Sequence, residues 1–216
     1  MKILELSQQG DLWETWRQAG IGSSDAAAIM GKSPYVTTDE LFRRKQGLLS
    51  RQGSNAAMER GKRLEEVARE LYHKLRGVLT RPVCVIHDEY PWLRASLDGL
   101  SEDNKRILEI KCIKAEYHAQ ALGGKVPDLY WPQVQHQLLV TGLRKLDYWS
   151  YSESTKFPLP ERVALVEVIP DREYQQELFE AEKAFQESLN GGSKGKEAPF
   201  SPSPELEAYW KSLVRQ

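Results

Sequence analysis

The chain reads as an α/β fold, a central mixed β-sheet flanked by helices. Three observations predict it. Helical periodicity fills the first third and ends in a long amphipathic run from Met58 to Arg76. A block of strand-like apolar segments then occupies about 79 to 113. Further helical stretches bracket two more strands beyond it. Helices first, strands in the middle and helices on both sides is the order of a layered α/β domain.

Each element has a local reason. Residues 11–18 form a short helix through Leu12, Trp13 and Trp16. Gly20-Ile21-Gly22-Ser23-Ser24-Asp25 leads into a small-residue helix, Ala26–Met30, with Ser23 or Ser24 as the expected cap. Thr37 or Thr38 caps the next helix, which ends at Gly47. Residues 48–56 are polar and read as loop. In the helix 58–76, Leu64, Val67, Ala68, Leu71 and Leu75 form the apolar stripe and Gly77 stops it. Strands follow at about 79–87, 93–100 and 106–113, then helices at Ala115–Leu122 and Pro127–Thr141, the latter with proline at its start. Leu146–Ser152 and Arg162–Ile169 are two more strands, and Asp171 opens a charged helix to about Leu189. Residues 1–190 are expected to make one domain, 191–204 a flexible linker rich in Gly, Ser, Pro and Lys, and 205–216 a C-terminal helix carrying Leu206, Tyr209, Trp210 and Leu213.

With 216 residues the chain can bury a sizeable core. Charged residues make up 28% and hydrophobic ones 40%, as in soluble globular proteins. A net charge of −1 gives no global basic signature for nucleic acid, although a local basic channel can coexist with an acidic remainder. No apolar run is long enough to cross a membrane, and no signal peptide is recognisable. Cys84 and Cys112 lie in apolar strand-like runs without zinc spacing, so two reduced thiols in a reducing cytosol are expected.

The chemistry concentrates in Ser96-Leu97-Asp98-Gly99-Leu100 and Leu108-Glu109-Ile110-Lys111-Cys112, a D-x10-E-x-K pattern. Two carboxylates suit a hard divalent cation, and a lysine can orient or deprotonate an attacking water. Glu109 and Lys111 share one strand face with Ile107 and Ile113, while Leu108, Ile110 and Cys112 take the other. Asp98 and Glu109 are symmetric about Asp103-Asn104, a good hairpin turn. In a regular hairpin they face each other with Cβ atoms roughly 4.5–5.5 Å apart. The plain alternative is a solvated hairpin face carrying one Glu109–Lys111 ion pair, but flanking Ile107 and Ile113 make that face more than polar.

Three further constellations are ambiguous by themselves. Glu65 begins the long helix in Gly61-Lys62-Arg63-Leu64-Glu65-Glu66; it is either an exposed helical glutamate or, at the edge of the Leu64–Ala68 stripe, turned inward. Arg17 lies seven residues before Ser24 and can complete a phosphate clamp with it, or be a surface arginine beside an ordinary cap. In Gln133-Val134-Gln135-His136-Gln137, Gln133 and Gln137 share a helix face and Gln135 lies on another; all three can equally face solvent. His73, His87 and His118 have no ligand spacing and read as surface or satisfied histidines.

Taken together, Trp13-x3-Arg17-x2-Gly20-Ile21-Gly22-Ser23-Ser24-Asp25, Gly61-Lys62-x2-Glu65, the two Asp98 and Glu109 segments and Gln133-Val134-Gln135 make the chain resemble the YqaJ-type viral recombinase nucleases. This is the phage lambda exonuclease group of the PD-(D/E)xK superfamily. The resemblance spans roughly 13–170, and Leu97 stands where the superfamily motif has proline.

The resemblance implies a restriction-endonuclease-like core and a 5′→3′ exonuclease of linear double-stranded DNA. It implies that Asp98, Glu109 and the Ile110 carbonyl hold Mg²⁺ or Mn²⁺, with Glu65 joining directly or through water. Lys111 would position the nucleophilic water. Arg17 and Ser24 would hold the DNA 5′-phosphate, Gln135 (or else Gln133) would line the catalytic site, and Met58 would wedge the terminal base pair apart. It also implies a homotrimeric ring whose topological hold on DNA suits a near-zero net charge, a single-strand annealing protein as partner, and a cytoplasmic setting in a bacterial cell or phage-infected host. The competing readings are another PD-(D/E)xK nuclease, RecB-type or endonucleolytic, and a non-catalytic DNA-end-binding module.

Overall fold

The computed structural model describes residues 1–49 and 56–191, with Ala208 and Ser212 beyond them. The expected linker 191–204 and tail helix 205–216 therefore lie outside the described residues, except for Gly191, Ala208 and Ser212. Seven strands form one mixed sheet: β1 (Lys2–Leu4), β2 (Ile21–Gly22), β3 (Thr80–Ile86), β4 (Leu93–Ser101), β5 (Ile107–Lys111), β6 (Leu146–Tyr151) and β7 (Val163–Val168). Their order is β1-β3-β4-β5-β6-β7, and β2 pairs with β4 off this path. The β5–β6 and β2–β4 pairs are parallel and the rest antiparallel. The five longer strands fall where the apolar runs place them. β1 and β2, of three and two residues, are too short to show a period.

The helices are α1 (Gly10–Gln18), α2 (Ser23–Ile29), α3 (Thr38–Lys45), α4 (Ala56–Arg76), α5 (Ala115–Leu122), α6 (Trp131–Thr141) and α7 (Arg172–Gly191). Thr37 caps α3 by accepting from the Glu40 N–H, and the Glu40 carboxylate accepts in turn from the Thr37 N–H. The expected serine cap of α2 is corrected: Gly22 is the N-cap, Ser23 and Ser24 already lie in the first turn, and Asp25 Oδ2 accepts from the Gly22 N–H at 2.9 Å. Residues 127–130 form a turn before α6, so that helix starts four residues later than expected, and Gly142 ends it in the left-handed conformation with φ 68°.

The sheet alternation builds two cores. On one face Ile107, Leu97, Leu100, Leu146 and Tyr148 pack with Val134 and Leu138 of α6. On the other, Leu108, Ile110 and Trp149 pack with Ala68 and Tyr72 of α4. The α4 stripe differs from expectation. Leu64, Ala68 and Tyr72 are buried at four-residue spacing, whereas Val67 and Leu75 are exposed. Tyr72 goes in because its hydroxyl donates to the buried Asp147 carboxylate at 2.6 Å.

The middle of β4 is irregular, and this positions the site. Val83 pairs with Leu97 but Arg81 pairs with Leu100, so β4 carries one extra residue in a bulge at 98–99. Leu97 and Leu100 can then enter the same core, and Asp98 is re-aimed. The bulge carbonyls are held by side chains: Gln8 donates to Leu97 O and Val83 O, each at 2.9 Å, and Arg69 donates to Asp98 O at 3.3 Å. Opposite β3, β4 pairs with β2 at 93–94 and with β5 at 99–100, leaving a gap between them.

Candidate active site

The gap in β4 collects the charged residues. The register Gly99↔Leu108 and Leu100↔Ile107 is the one that symmetry about Asp103-Asn104 predicts, with Asn104 at φ 55° in the turn. The ladder stops one pair short of Asp98 and Glu109. There Asp98 Oδ2 accepts the Ile110 N–H at 2.8 Å, taking the place of a strand hydrogen bond.

Glu109 is 1% exposed and points toward α6. Its Oε1 accepts from Lys111 Nζ and from Gln133 Nε2, the latter at 2.5 Å, and its Oε2 accepts from Gln137 Nε2 at 2.6 Å. The Lys111 ammonium also lies 5.1 Å from the Tyr130 ring centroid. Glu65, 35% exposed on α4, is bonded at 2.5 Å to Arg69, one turn along the same helix.

The electrostatics are those of crowded carboxylates. Burial, then the charges of Glu109 and Glu65, push Asp98 well above the usual carboxylate range. Burial alone would lower Lys111, but the charges of Glu109 and Asp98 outweigh it, and its pKa stands above the ordinary lysine value. Lys111 is therefore a fixed cation in this arrangement and suits orienting a water better than deprotonating one. Burial pushes both the Cys84 and Cys112 thiols up to about 12, so they are protonated and unreactive.

Two neighbouring carboxyl groups, whose repulsion when ionised is only partly offset by Lys111, are an oxygen donor set that fits a hard divalent cation. Asp98 Oδ1 accepts no hydrogen bond among the described residues, and one lone pair of Glu109 Oε2 remains beside the Gln137 bond. Among the described residues no three His, Cys, Asp or Glu side chains converge into a metal-binding group. Glu65, expected to join the cation directly or through water, pairs with Arg69 and lies close enough for its charge to act on Asp98.

Gln135 is corrected as well. It is fully buried, and its amide donates to Ile169 O at 3.1 Å and accepts from the Asp171 N–H at 3.0 Å, anchoring the start of α7. Gln133 and Gln137, four apart on the opposite side of α6, reach Glu109 instead. The i,i+4 spacing already marked that pair. Arg69 and Tyr130, which also border the site, have no sequence signal beyond ordinary helix and turn positions.

Arg17 and Ser24 do come together: Arg17 Nη2 donates to Ser24 Oγ at 2.8 Å, and the guanidinium lies 4.7 Å from the Trp13 ring centroid. Trp13 Nε1 in turn donates to Ser96 Oγ at 2.9 Å. Ser96 is two residues from Asp98, about 7 Å along a strand. The Arg17–Ser24 pair thus neighbours the acidic residues through a short packed chain. The Met58 side chain, expected as a wedge, lies outside the described residues.

Fold and site together define a PD-(D/E)xK-type nuclease architecture. Residues 12–144 match the YqaJ-like viral recombinase domain, and the chain belongs to that family. It is 33% identical over 136 residues to the uncharacterised protein YqaJ of Bacillus subtilis, covering 61% of this chain and 42% of that one. The chain thus spans less than half the length of that curated relative. Among solved structures it is similar to LHK-Exo, an alkaline exonuclease from Laribacter hongkongensis, at 28% identity and a TM-score of 0.67 over 93% of this chain and 95% of that one. The complex of LHK-Exo with dAMP matches at 27% identity and a TM-score of 0.68 over 93% and 94%. A phage-related exonuclease from Haemophilus somnus, 17% identical with a TM-score of 0.59 over 81% and 96%, shares the fold.

Proposed function

We propose that this protein is a Mg²⁺-dependent 5′→3′ exonuclease of linear double-stranded DNA, with Mn²⁺ able to substitute. It releases mononucleotides and leaves 3′ single-strand overhangs for single-strand-annealing recombination. The observation that carries the reading is Glu109, buried between Lys111, Gln133 and Gln137 beside Asp98, on a chain that matches exonucleases over most of its length. That one of these structures holds dAMP agrees with a site that accepts a mononucleotide.

Asp98, Glu109 and the Ile110 carbonyl would hold the cation, with Glu65 reaching it through water. When bound, it supplies neutralisation of the scissile phosphate and a lowered pKa for a coordinated water. The protein's own side chains do the rest. Gln133 and Gln137 lock the Glu109 carboxylate in one orientation. Lys111, held cationic between Glu109 and the Tyr130 ring, orients the attacking water and offsets charge developing on the phosphate. Arg17 and Ser24 hold the terminal 5′-phosphate, so that the next phosphodiester falls at the acidic residues. Met58 separates the terminal base pair.

The active assembly is a homotrimeric ring in the cytoplasm of a bacterial cell or phage-infected host, and no helix among the described residues is long and apolar enough to cross a membrane. A single-strand annealing protein receives the emerging strand. The Tyr209, Trp210 and Leu213 tail segment docks on that partner or on a neighbouring subunit; unchanged assembly and partner binding after deletion of 203–216 would argue against this.

The test uses linear duplex labelled on one strand, with and without a 5′-phosphate, in Mg²⁺, comparing wild type with Lys111→Ala. Mononucleotide release from phosphorylated 5′ ends, lost in the variant, is the expected result. Release from 3′ ends or cutting of circular DNA would overturn the polarity and keep the nuclease. No cleavage in Mg²⁺ or Mn²⁺ would leave a DNA-end-binding module.

A further inference from the structure

Lys45, the last residue of α3, is nearly buried: its side chain is 7% exposed. An ammonium taken out of water must satisfy its three N–H groups, and this one has three acceptors. They are Asp25 Oδ2 at 2.7 Å, Gly20 O at 2.6 Å and Arg17 O at 3.0 Å. The acceptors bracket one short stretch of chain. Arg17 O and Gly20 O belong to the end of α1 and the turn after it, where helix carbonyls lack intrahelical partners. Asp25 lies in the first turn of α2, next to Ser24, and ties back to the Gly22 N–H. A second bond links the same two helices, from Gln18 Nε2 to Arg44 O at 2.6 Å.

Arg17 and Ser24 are seven residues apart in sequence yet in hydrogen-bond contact. The turn between them contains Gly20, where an added Cβ would lie 2.6 Å from Trp92 O. Trp92 O and the Arg94 side chain crowd the backbone there, and the Lys45 ammonium holds the Gly20 carbonyl. The bonds of the Lys45 ammonium to Arg17 O, Gly20 O and Asp25 fix the main chain that carries the site residues.

We propose that Lys45 is a positioning residue for recognition of the DNA 5′-phosphate, setting the spacing between Arg17 and Ser24 through its bonds to Arg17 O, Gly20 O and Asp25. The inference rests on the end-recognition reading above. It extends the phosphate site to a buried cation that no substrate atom meets.

The test measures KM and kcat on linear duplex carrying a 5′-phosphate or a 5′-hydroxyl, for wild type, Arg17→Ala, Lys45→Met, Lys45→Arg and the double variant Lys45→Met/Asp25→Asn. The double variant removes the buried carboxylate that the single change leaves unpaired, so it guards against simple misfolding. Lys45→Met and the double variant are expected to raise KM for phosphorylated ends by about tenfold, the scale of one weakened hydrogen bond to the phosphate, with kcat within about twofold and little change on hydroxyl ends. Lys45→Arg should recover most of the discrimination. If the double variant regains wild-type preference for phosphorylated ends, Lys45 serves only to neutralise Asp25 and the inference falls. If Arg17→Ala loses the preference while neither Lys45 change does, the inference falls and end recognition stands. If wild type shows no preference at all, end recognition falls and takes this inference with it.

Discussion

Gln137 Nε2 donates to Glu109 Oε2 at 2.6 Å, joining residues 28 apart in sequence across the interface of α6 with the sheet. Gln133 does the same to the other oxygen, so both ends of one carboxylate are held from a single helix face. Gln137→Ala should lower kcat/KM about 10–100-fold, as loss of a partner that orients a ligand does. Steady-state rates on phosphorylated linear duplex, with a thermal melt alongside, check this. An unchanged rate in a folded variant would mean that Glu109 keeps its orientation without Gln137.

Gly99 sits in the β4 bulge beside Asp98, and an added Cβ would lie 2.8 Å from Thr80 Cβ and 3.0 Å from Leu108 Cβ. Its backbone φ is not positive, so the constraint is space, not conformation. Gly99→Ala should cost about 1–3 kcal/mol, the range for overpacking a filled core. It should also lower activity beyond what the lost stability explains, because the strand must shift at the residue next to Asp98. Urea midpoints and rates measured at a temperature where the variant is fully folded separate the two effects.

The sheet and most helices were legible because long apolar runs carry a period, and the β4–β5 register at Gly99↔Leu108 was legible because the turn at Asp103-Asn104 fixes it, although the ladder stops before Asp98 and Glu109. The bulge was not. Nothing in Ser-Leu-Asp-Gly-Leu says that β3 will set one residue, Pro82, against two of β4. The choice among the α6 glutamines failed for a related reason. Helical spacing separates Gln133 and Gln137 from Gln135, but which side meets the sheet depends on the docking of α7, and Gln135 is used there. Lys45 was invisible, since a lysine at the end of an amphipathic helix is ordinarily solvated.

His136 Nε2 contacts Arg94 O at 2.9 Å while Nδ1 contacts Glu182 Oε1 at 2.6 Å, both in a fully buried setting. With Nε2–H donated to the carbonyl, a proton must also lie between Nδ1 and Oε1. For His136, burial lowers the pKa, but the Glu182 charge and hydrogen bond outweigh it and the net direction is up. For Glu182, burial dominates and the direction is also up. Both signs agree that the folded state keeps a proton the unfolded chain releases. The stabilisation is present below the unfolded histidine value of about 6.5 and is lost as pH rises through the folded one. Each pH unit across that window should cost about 1.4 kcal/mol, or roughly 3–6 °C in Tm for a chain of this size. Melting curves from pH 6 to 9 should show the decline in wild type and flatten in Glu182→Gln. An equal slope in the variant would assign the pH dependence elsewhere.

The carboxylates should differ in their claim on a cation. Asp98 is crowded by Glu109 and Glu65, and its repulsion is relieved most by a positive ion. Glu65 already has Arg69 at 2.5 Å and remains partly solvated. Calorimetric titration with Mn²⁺ should therefore show binding reduced at least about 100-fold in Asp98→Asn. In Glu65→Gln, where a contact through water is altered, the loss should be about tenfold or less. Binding should also raise the melting temperature of wild type by mass action and leave Asp98→Asn unmoved. Equal losses in the two variants would place Glu65 in direct contact with the ion, which requires Arg69 to release it. Arg69→Ala would then tighten Mn²⁺ binding in an otherwise wild-type chain, and unaltered binding in that variant would leave Glu65 in its place beyond a water.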